Sequence, residues 1–336
     1  MASGKLGIGL IGAGRIGRVH GETIARRVPG AKLVTIYDVN GAAAETLAFE
    51  LGTSVSLSVE AVLNNPEVKA VAICSSTDTH APLIRQAAQA GKDIFCEKPI
   101  AADLAVIDDA LKVVEAAGVK LMIGFNRRFD PNYARVKQAI DSGEIGTPQL
   151  MHIISRDPAP PPVEYIKVSG GLFLDMTIHD FDMARFLLGD VIEVYAVGGV
   201  MVDPAIGAAG DIDTAIITLK FANGALGTID NSRKAVYGYD QRVEVFGSAG
   251  SASSENVYAD IVTLSTADSV RRGLPLNFFM ERYMNAYQIE LAAFVKALQD
   301  GTPMPVTGAD GRAPVVIAKA AMKSLRENRP VKLSEI

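Results

Sequence analysis

The feature that most constrains this chain is Gly12-Ala13-Gly14-Arg15-Ile16-Gly17, a G-x-G-x-x-G pattern. It directly follows an apolar run, residues 6–11, and opens a helical stretch over 16–28. A second apolar run, residues 33–37, ends at an acidic residue, Asp38. Glycines at this spacing say little alone. Between a strand and a helix, with a carboxylate closing the next strand, they point to a β-α-β turn built around a dinucleotide; the plainer alternative is a glycine turn with no ligand. Gly12 permits the tight turn, Gly14 the close approach of a pyrophosphate, and Gly17 the close packing of helix on strand. The helix N-terminus supplies N–H groups and a positive dipole end to the phosphates. Arg15 is the residue that keeps NADP use open, but as the first variable residue of the loop it is expected to face phosphate or solvent, with Ile16 beside it. Asp38 would accept hydrogen bonds from the adenosine ribose and repel a 2′-phosphate, so NAD is expected over NADP.

The pattern continues as alternating strand and helix. Residues 71–74, 94–96 and 121–123 read as buried strands, and 82–90 and 104–117 as helices. Continuous apolar strands with intervening helices predict a doubly wound, parallel Rossmann sheet over residues 1–125. With 336 residues, the chain has room for a second domain. Beyond Phe125 the signals change. Stretches 193–200, 214–221, 225–230 and 242–246 are strand-like, and Asn223-Gly224 joins two of them as a hairpin turn. Residues 157–162 form a proline-rich loop, and 278–298 and 314–325 read as helices. The expectation for 126–336 is an α+β domain with a large, mostly antiparallel, open sheet. Its uncovered face predicts an oligomer interface.

A net charge of −5 gives no reason to expect nucleic acid or an anionic membrane as partner. No stretch approaches the roughly 18 apolar residues of a membrane span, and the first residues show no signal-peptide pattern. Cys74 and Cys96, the only two cysteines, lie in apolar strand-like runs. They are expected as buried thiols of a reduced, cytoplasmic protein. Without CxxC spacing they predict no structural zinc.

Three stretches carry chemistry. Cys96-Glu97-Lys98-Pro99 ends a buried strand, where an open α/β sheet presents its ligand crevice. Lys98 there can hydrogen-bond a substrate hydroxyl and favour a developing alkoxide, or be a surface lysine. In the stretch 170–180, Asp175 and His179 are four apart and share one face if the segment is a single helix. His179 can take a hydroxyl proton as a hydride leaves the same carbon, with Asp175 orienting the imidazole. A helix-surface pair is the plainer alternative. A metal reading lacks further Cys or His ligands nearby. On a late helix, Tyr283 and Tyr287 share a face and present hydroxyls or ring faces to a polyol, or form a packed aromatic stripe. Ser75, Thr77 and His80 surround the next helix N-terminus, where the cofactor is expected to touch. His20 reads as structural, and His152 as core or interface.

Together these residues resemble the glucose–fructose oxidoreductase / inositol dehydrogenase / rhizopine catabolism family over nearly the whole length. The resemblance is carried by Gly12-x-Gly14-x-x-Gly17, Thr79-His80, Glu97-Lys98-Pro99 and Asp175-x-x-x-His179. It implies catalytic roles for Lys98, Asp175 and His179, a place for Glu97 beside the cofactor, and a lysine–proline bond that is often cis. Within the family, Ser155-Arg156-Asp157-Pro158, the stretch 169–180, Glu281-Arg282-Tyr283-x-x-Ala286-Tyr287 and Gly124-Phe125-Asn126-Arg127-Arg128-Phe129-Asp130 are similar to those of inositol 2-dehydrogenases. That places Arg127 and Asp157 near the substrate hydroxyls and implies a homotetramer built on the open sheet. The expected reaction is NAD-dependent oxidation of myo-inositol at its 2-hydroxyl to the 2-keto inositol, scyllo-inosose. The alternatives are another cyclitol or sugar (scyllo-inositol, chiro-inositol, glucose) on the same site, an NADP-linked sugar reductase, or a non-catalytic NAD-binding regulator. The intact Lys98, Asp175 and His179 speak against the last.

Overall fold

The computed structural model describes residues 4–336. The chain forms two compact units. The first runs to Phe129 and takes in Asn285–Ala313; the second comprises Asp130–Met284 and Pro314–Ile336. Residues 285–313, which a linear division at 125 assigns to the second domain, therefore pack with the first.

In the first unit, strands β1 (Leu6–Ile11), β2 (Ala31–Tyr37), β3 (Ser54–Val55), β4 (Ala70–Ile73), β5 (Asp93–Glu97) and β6 (Leu121–Gly124) form one sheet. Its order is β3-β2-β1-β4-β5-β6 and every ladder is parallel. Between the strands run α1 (Arg15–Arg26), α2 (Gly41–Leu51), α3 (Val59–Leu63), α4 (Thr77–Gln89) and α5 (Leu104–Ala117). Parallel strands need such crossovers, and burial on both faces accounts for the unbroken apolar runs. Every residue of β4 is buried. The strand order reverses between β1 and β4, so the crevice lies beyond their C-terminal ends. Helix α4 starts at Thr77, earlier than expected, and keeps Pro82 inside it. Phe95 of β5 stacks edge-on against Phe294, with ring centroids 5.8 Å apart. Cys74 and Cys96 are buried, unpaired thiols, as the sequence predicts.

The second unit holds α6 (Pro131–Asp141), β7 (Pro148–Arg156), α7 (Val163–Ser169), α8 (Leu172–Asp175), α9 (Ile178–Leu188), β8 (Val191–Gly199) and α10 (Pro204–Ala208). Then follow β9 (Thr214–Phe221), β10 (Leu226–Ser232), β11 (Asp240–Gly247), β12 (Gly250–Ser254) and a small hairpin of β13 (Thr263–Ser265) with β14 (Val270–Arg272). The chain continues through α11 (Phe279–Asp300) and α12 (Gly308–Glu327) to β15 (Val331–Lys332). Both long helices have residues in each unit. The large sheet has the order β12-β11-β7-β10-β9-β8-β15. Only β7 and β10 pair in parallel; the other ladders are antiparallel. The Asn223-Gly224 turn is present, with Gly224 at φ +89° and Phe221 N–H bonded to the Ala225 carbonyl at 3.0 Å.

Alternation along the strands separates two faces. In β9, Ala215, Ile217, Leu219 and Phe221 are buried while Ile216 is exposed. Helices α6 and α9 pack against the sheet. Leu150, Leu226 and Phe246 are neighbours in register across three strands and are 45–52% exposed. His152 points outward and is exposed, so its core reading does not hold. No helix among the described residues is long and apolar enough to cross a membrane.

Candidate active site

The glycine loop adopts the geometry its spacing demands. Gly12 sits at φ +104°, a conformation that side chains other than glycine rarely tolerate. A Cβ on Gly17 would collide with the Gly12 carbonyl, so helix and strand meet only because that atom is missing. A Cβ on Gly14 would have nothing within 4 Å. Gly14 is the N-cap of α1 and no side chain caps that helix start. With no side chain at Gly14, the helix start is open to an incoming phosphate. Arg15 is exposed and Ile16 half-buried at the mouth of the loop.

Asp38 closes β2. Its Oδ2 accepts from Ala13 N–H at 2.6 Å and its Oδ1 from Asn40 N–H at 2.7 Å. The carboxylate is thereby locked against the glycine loop, with lone pairs left for two ribose hydroxyls. Ser75 lies between β4 and α4, and Thr77 is the first residue of α4, whose N-cap Ser76 also makes no side-chain cap. Ser75 Oγ is 2.6 Å from Thr79 Oγ1. These residues, with Glu97 and Lys98 at the end of β5, occupy C-terminal ends of adjacent parallel strands. They fit a dinucleotide: a bare helix start for the pyrophosphate, an acidic strand end for the ribose.

Two residues expected at the cofactor face inward instead. His80 is 1% exposed; its Nδ1 lies 2.8 Å from the Pro99 carbonyl and its Nε2 3.1 Å from that of Ser75. Burial pushes this imidazole below its ordinary range, against the raising effect of both carbonyls. His80 braces the backbone on either side of the crevice rather than offering a ring nitrogen to a ligand. Glu97 is likewise buried, its Oε1 2.6 Å from Nε2 of His20. His20, read as structural, is fully buried as expected. The segment carrying Lys98 is thus gripped on both flanks, Glu97 by α1 and Pro99 by α4. The Lys98–Pro99 bond is cis, as the resemblance implies. Arg127 lies in a 3₁₀ turn over Asn126–Phe129 and is 5% exposed.

In the second unit the single helix expected to carry both Asp175 and His179 is absent. Asp175 is the last residue of α8 and His179 the second of α9. The break is explained by the hydroxyl of Thr177. Thr177 Oγ1 bonds to the Leu172 carbonyl and, at 2.6 Å, to Asn231 Oδ1 of β10. A hydroxyl that competes for backbone acceptors in this way interrupts the helical ladder. Asp175 is tied on two sides: Tyr165 donates to its Oδ1 at 2.9 Å and Arg233 to its Oδ2 at 3.1 Å. Asp157 meets the same neighbourhood through its backbone, with its N–H on Ser232 O and its carbonyl on Ala235 N–H. Tyr283 is 2% exposed and packs among Tyr133, Tyr239 and Arg282. Its environment is the aromatic stripe rather than an open face.

Sequence reasoning missed Arg233 and Tyr165. Arg233 follows β10 within Ser232-Arg233-Lys234, where nothing local tells a buried arginine from a solvated one. Only the register of β10 brings it beneath Asp175.

Residues 6–125 match the family model described as an oxidoreductase family with an NAD-binding Rossmann fold, and residues 133–253 match the GFO/IDH/MocA C-terminal domain. The chain is 48% identical to the myo-inositol 2-dehydrogenase of Thermotoga maritima, covering 98% of this chain and 99% of that one. It is 47% identical to an inositol 2-dehydrogenase of Rhizobium meliloti, over 97% and 98% of the two chains. The crystal structure of a scyllo-inositol dehydrogenase from Lactobacillus casei, with NAD(H) and scyllo-inositol bound, superposes with a TM-score of 0.91 at 30% identity. That match covers 98% of this chain and 99% of the other.

Proposed function

Because the chain belongs to the GFO/IDH/MocA family of NAD-binding oxidoreductases, we propose that it oxidises myo-inositol at the 2-hydroxyl to 2-keto-myo-inositol. The observation that carries this reading is the full-length likeness, near one-half identity, to proteins that act on inositol, together with a loop shaped for a dinucleotide.

NAD, when bound, supplies the hydride acceptor. The chain's own residues do the rest. The bare N-terminus of α1 and Gly14 receive the pyrophosphate, and Asp38 the adenosine ribose; Ser75 and Thr77 line the same rim. His179 takes the proton of the reacting hydroxyl, a step worth about 10²–10⁴-fold in rate. Asp175 orients His179, and the Lys98 ammonium favours negative charge on the substrate oxygen. Arg127 and Asp157 hold the remaining hydroxyls. Tyr283 supports that surface from beneath.

The chain works in the cytoplasm as a homotetramer. Supporting the assembly is the apolar row of Leu150, Leu226 and Phe246 on the open face of the large sheet. Sedimentation equilibrium tests it; a monomer at micromolar concentration would overturn it.

A second reading, preference for scyllo-inositol, is favoured by the likeness to the Lactobacillus casei enzyme. Absorbance at 340 nm, with NAD or NADP and with myo-, scyllo- and chiro-inositol and glucose in parallel, separates the two. Fastest NAD-dependent turnover on myo-inositol is expected. Turnover on none of the four would overturn the enzymatic reading.

A further inference from the structure

Arg233 is among the largest fully buried side chains of the molecule. Its Nη1 lies 3.1 Å from Asp175 Oδ2, and its Nη2 makes an ion pair with Asp211 Oδ2 at 3.6 Å. Its backbone N–H is fixed to the Asp213 carbonyl at 2.9 Å. Asp211, in the loop before β9, also accepts the N–H of Leu172 through Oδ1 at 3.1 Å. The two residues therefore grip α8 at both ends, Leu172 through Asp211 and Asp175 through Arg233.

Stability alone does not ask for this arrangement. A buried ion pair often gains nothing over packed apolar side chains of the same volume, because desolvation offsets the attraction. The guanidinium is a permanent cation placed against the carboxylate that orients the proton acceptor. It also occupies one Asp175 oxygen while Tyr165 occupies the other, which fixes the carboxylate's plane.

We infer that Arg233 is a positioning residue of the reaction: with Asp211 and Tyr165 it holds Asp175 in one orientation and tempers its negative charge toward His179. The inference rests on the roles assigned above to Asp175 and His179. Charge balance gives the direction. One cation stands between two carboxylates, so removing it strengthens the negative field at His179 and favours the imidazolium. Removing the Asp211 charge does the opposite.

Several charged groups on the neighbouring elements have partners of their own. On α9, Asp180 accepts from Asn231 Nδ2 at 3.0 Å. On α7, Glu164 and Lys167 pair with each other in solvent. Asp213 takes the N–H groups of Met201, Val202 and Asp203.

The test uses Arg233→Met, Arg233→Lys and Asp211→Asn in the full chain. Two readouts are followed, the acid limb of kcat against pH and the titration of the His179 imidazole by NMR, assigned with His179→Gln. Arg233→Met is expected to move the His179 titration and the kcat limb upward by about one pH unit. Asp211→Asn should move both downward, and Arg233→Lys should leave them near the wild-type position. A merely structural role lowers kcat without opposite shifts. Unmoved His179 titrations in folded Arg233→Met and Asp211→Asn would overturn the inference. If Arg233→Met does not fold, the downward shift in Asp211→Asn, which keeps the Leu172 acceptor, decides alone. A titration that moves while the kcat limb does not would remove His179 from the role of base and leave the hold of Arg233 on Asp175 supported.

Discussion

Glu97 Oε1 lies 2.6 Å from His20 Nε2, and both side chains are withdrawn from solvent. The partner of the residue next to Lys98 thus comes from α1, the helix that opens at the glycine loop. His20→Ala strands a buried acceptor and is expected to cost about 1–3 kcal/mol. Urea unfolding checks this; a loss under half a kilocalorie would mean that water or another group replaces the imidazole.

His179→Ala should lower kcat for myo-inositol by at least about 10²-fold, the lower end of what a positioned proton acceptor contributes. NAD affinity, read by fluorescence titration, should stay near wild type. Near-normal turnover would take His179 out of the chemistry.

Gly14 and Gly17 are three residues apart in one loop but predict opposite phenotypes. Gly14→Ala meets open space. It should fold with stability within about 0.5 kcal/mol of wild type while NAD binds more weakly. Gly17→Ala drives a methyl into the Gly12 carbonyl. It should lower the melting temperature whether or not NAD is present. Thermal melts with and without NAD distinguish the two.

Asp38→Asn keeps the shape of the side chain and removes its charge. Losing a charged acceptor costs about 1.5–3 kcal/mol. The KM for NAD should therefore rise by about 10–100-fold. The same change lifts the repulsion of a 2′-phosphate, so the ratio of NADP to NAD turnover should rise. Steady-state kinetics with both nucleotides reads this directly.

Burial pulls the Asp310 carboxyl upward, but Arg128 and the N–H and hydroxyl of Thr307 hold it below the ordinary carboxylate range. Its native pKa is lower than its unfolded one. The stability it lends is thus fully present above the unfolded value near about pH 4 and is lost as pH falls through the native value. Arg128→Met, which removes the 3.2 Å ion pair, should move acid unfolding to higher pH. Circular dichroism against pH checks the direction.

Much of this was legible in the residues. The glycine loop, Asp38, the strand-end Glu97-Lys98-Pro99 and the open second sheet all follow local rules: φ preference, strand periodicity and turn chemistry. What was not legible came from pairings distant in sequence. Asp175 and His179 read as one helix because their spacing fits one; the hydroxyl of Thr177, reaching Asn231 on β10, breaks it. His80 read as a cofactor contact because it follows a helix start, yet carbonyls from two loops draw it inward. Arg233 gave no signal, since burial of an arginine is decided by its partners and not by its neighbours in sequence.

The last stretches of the chain complete structures begun far earlier. Val331 and Lys332 pair with Val194 and Glu193 to form an edge of the large sheet, and residues 285–313 complete the first unit, with Phe294 set against Phe95. During synthesis, the six parallel strands emerge from the ribosome long before the segment that covers them, and the seven-stranded sheet waits for its final strand. Neither unit reaches its final form before those later segments have been made. The apolar side of β5 stays uncovered until the segment around Phe294 has been made, so the growing chain carries exposed apolar surface over the whole interval between them.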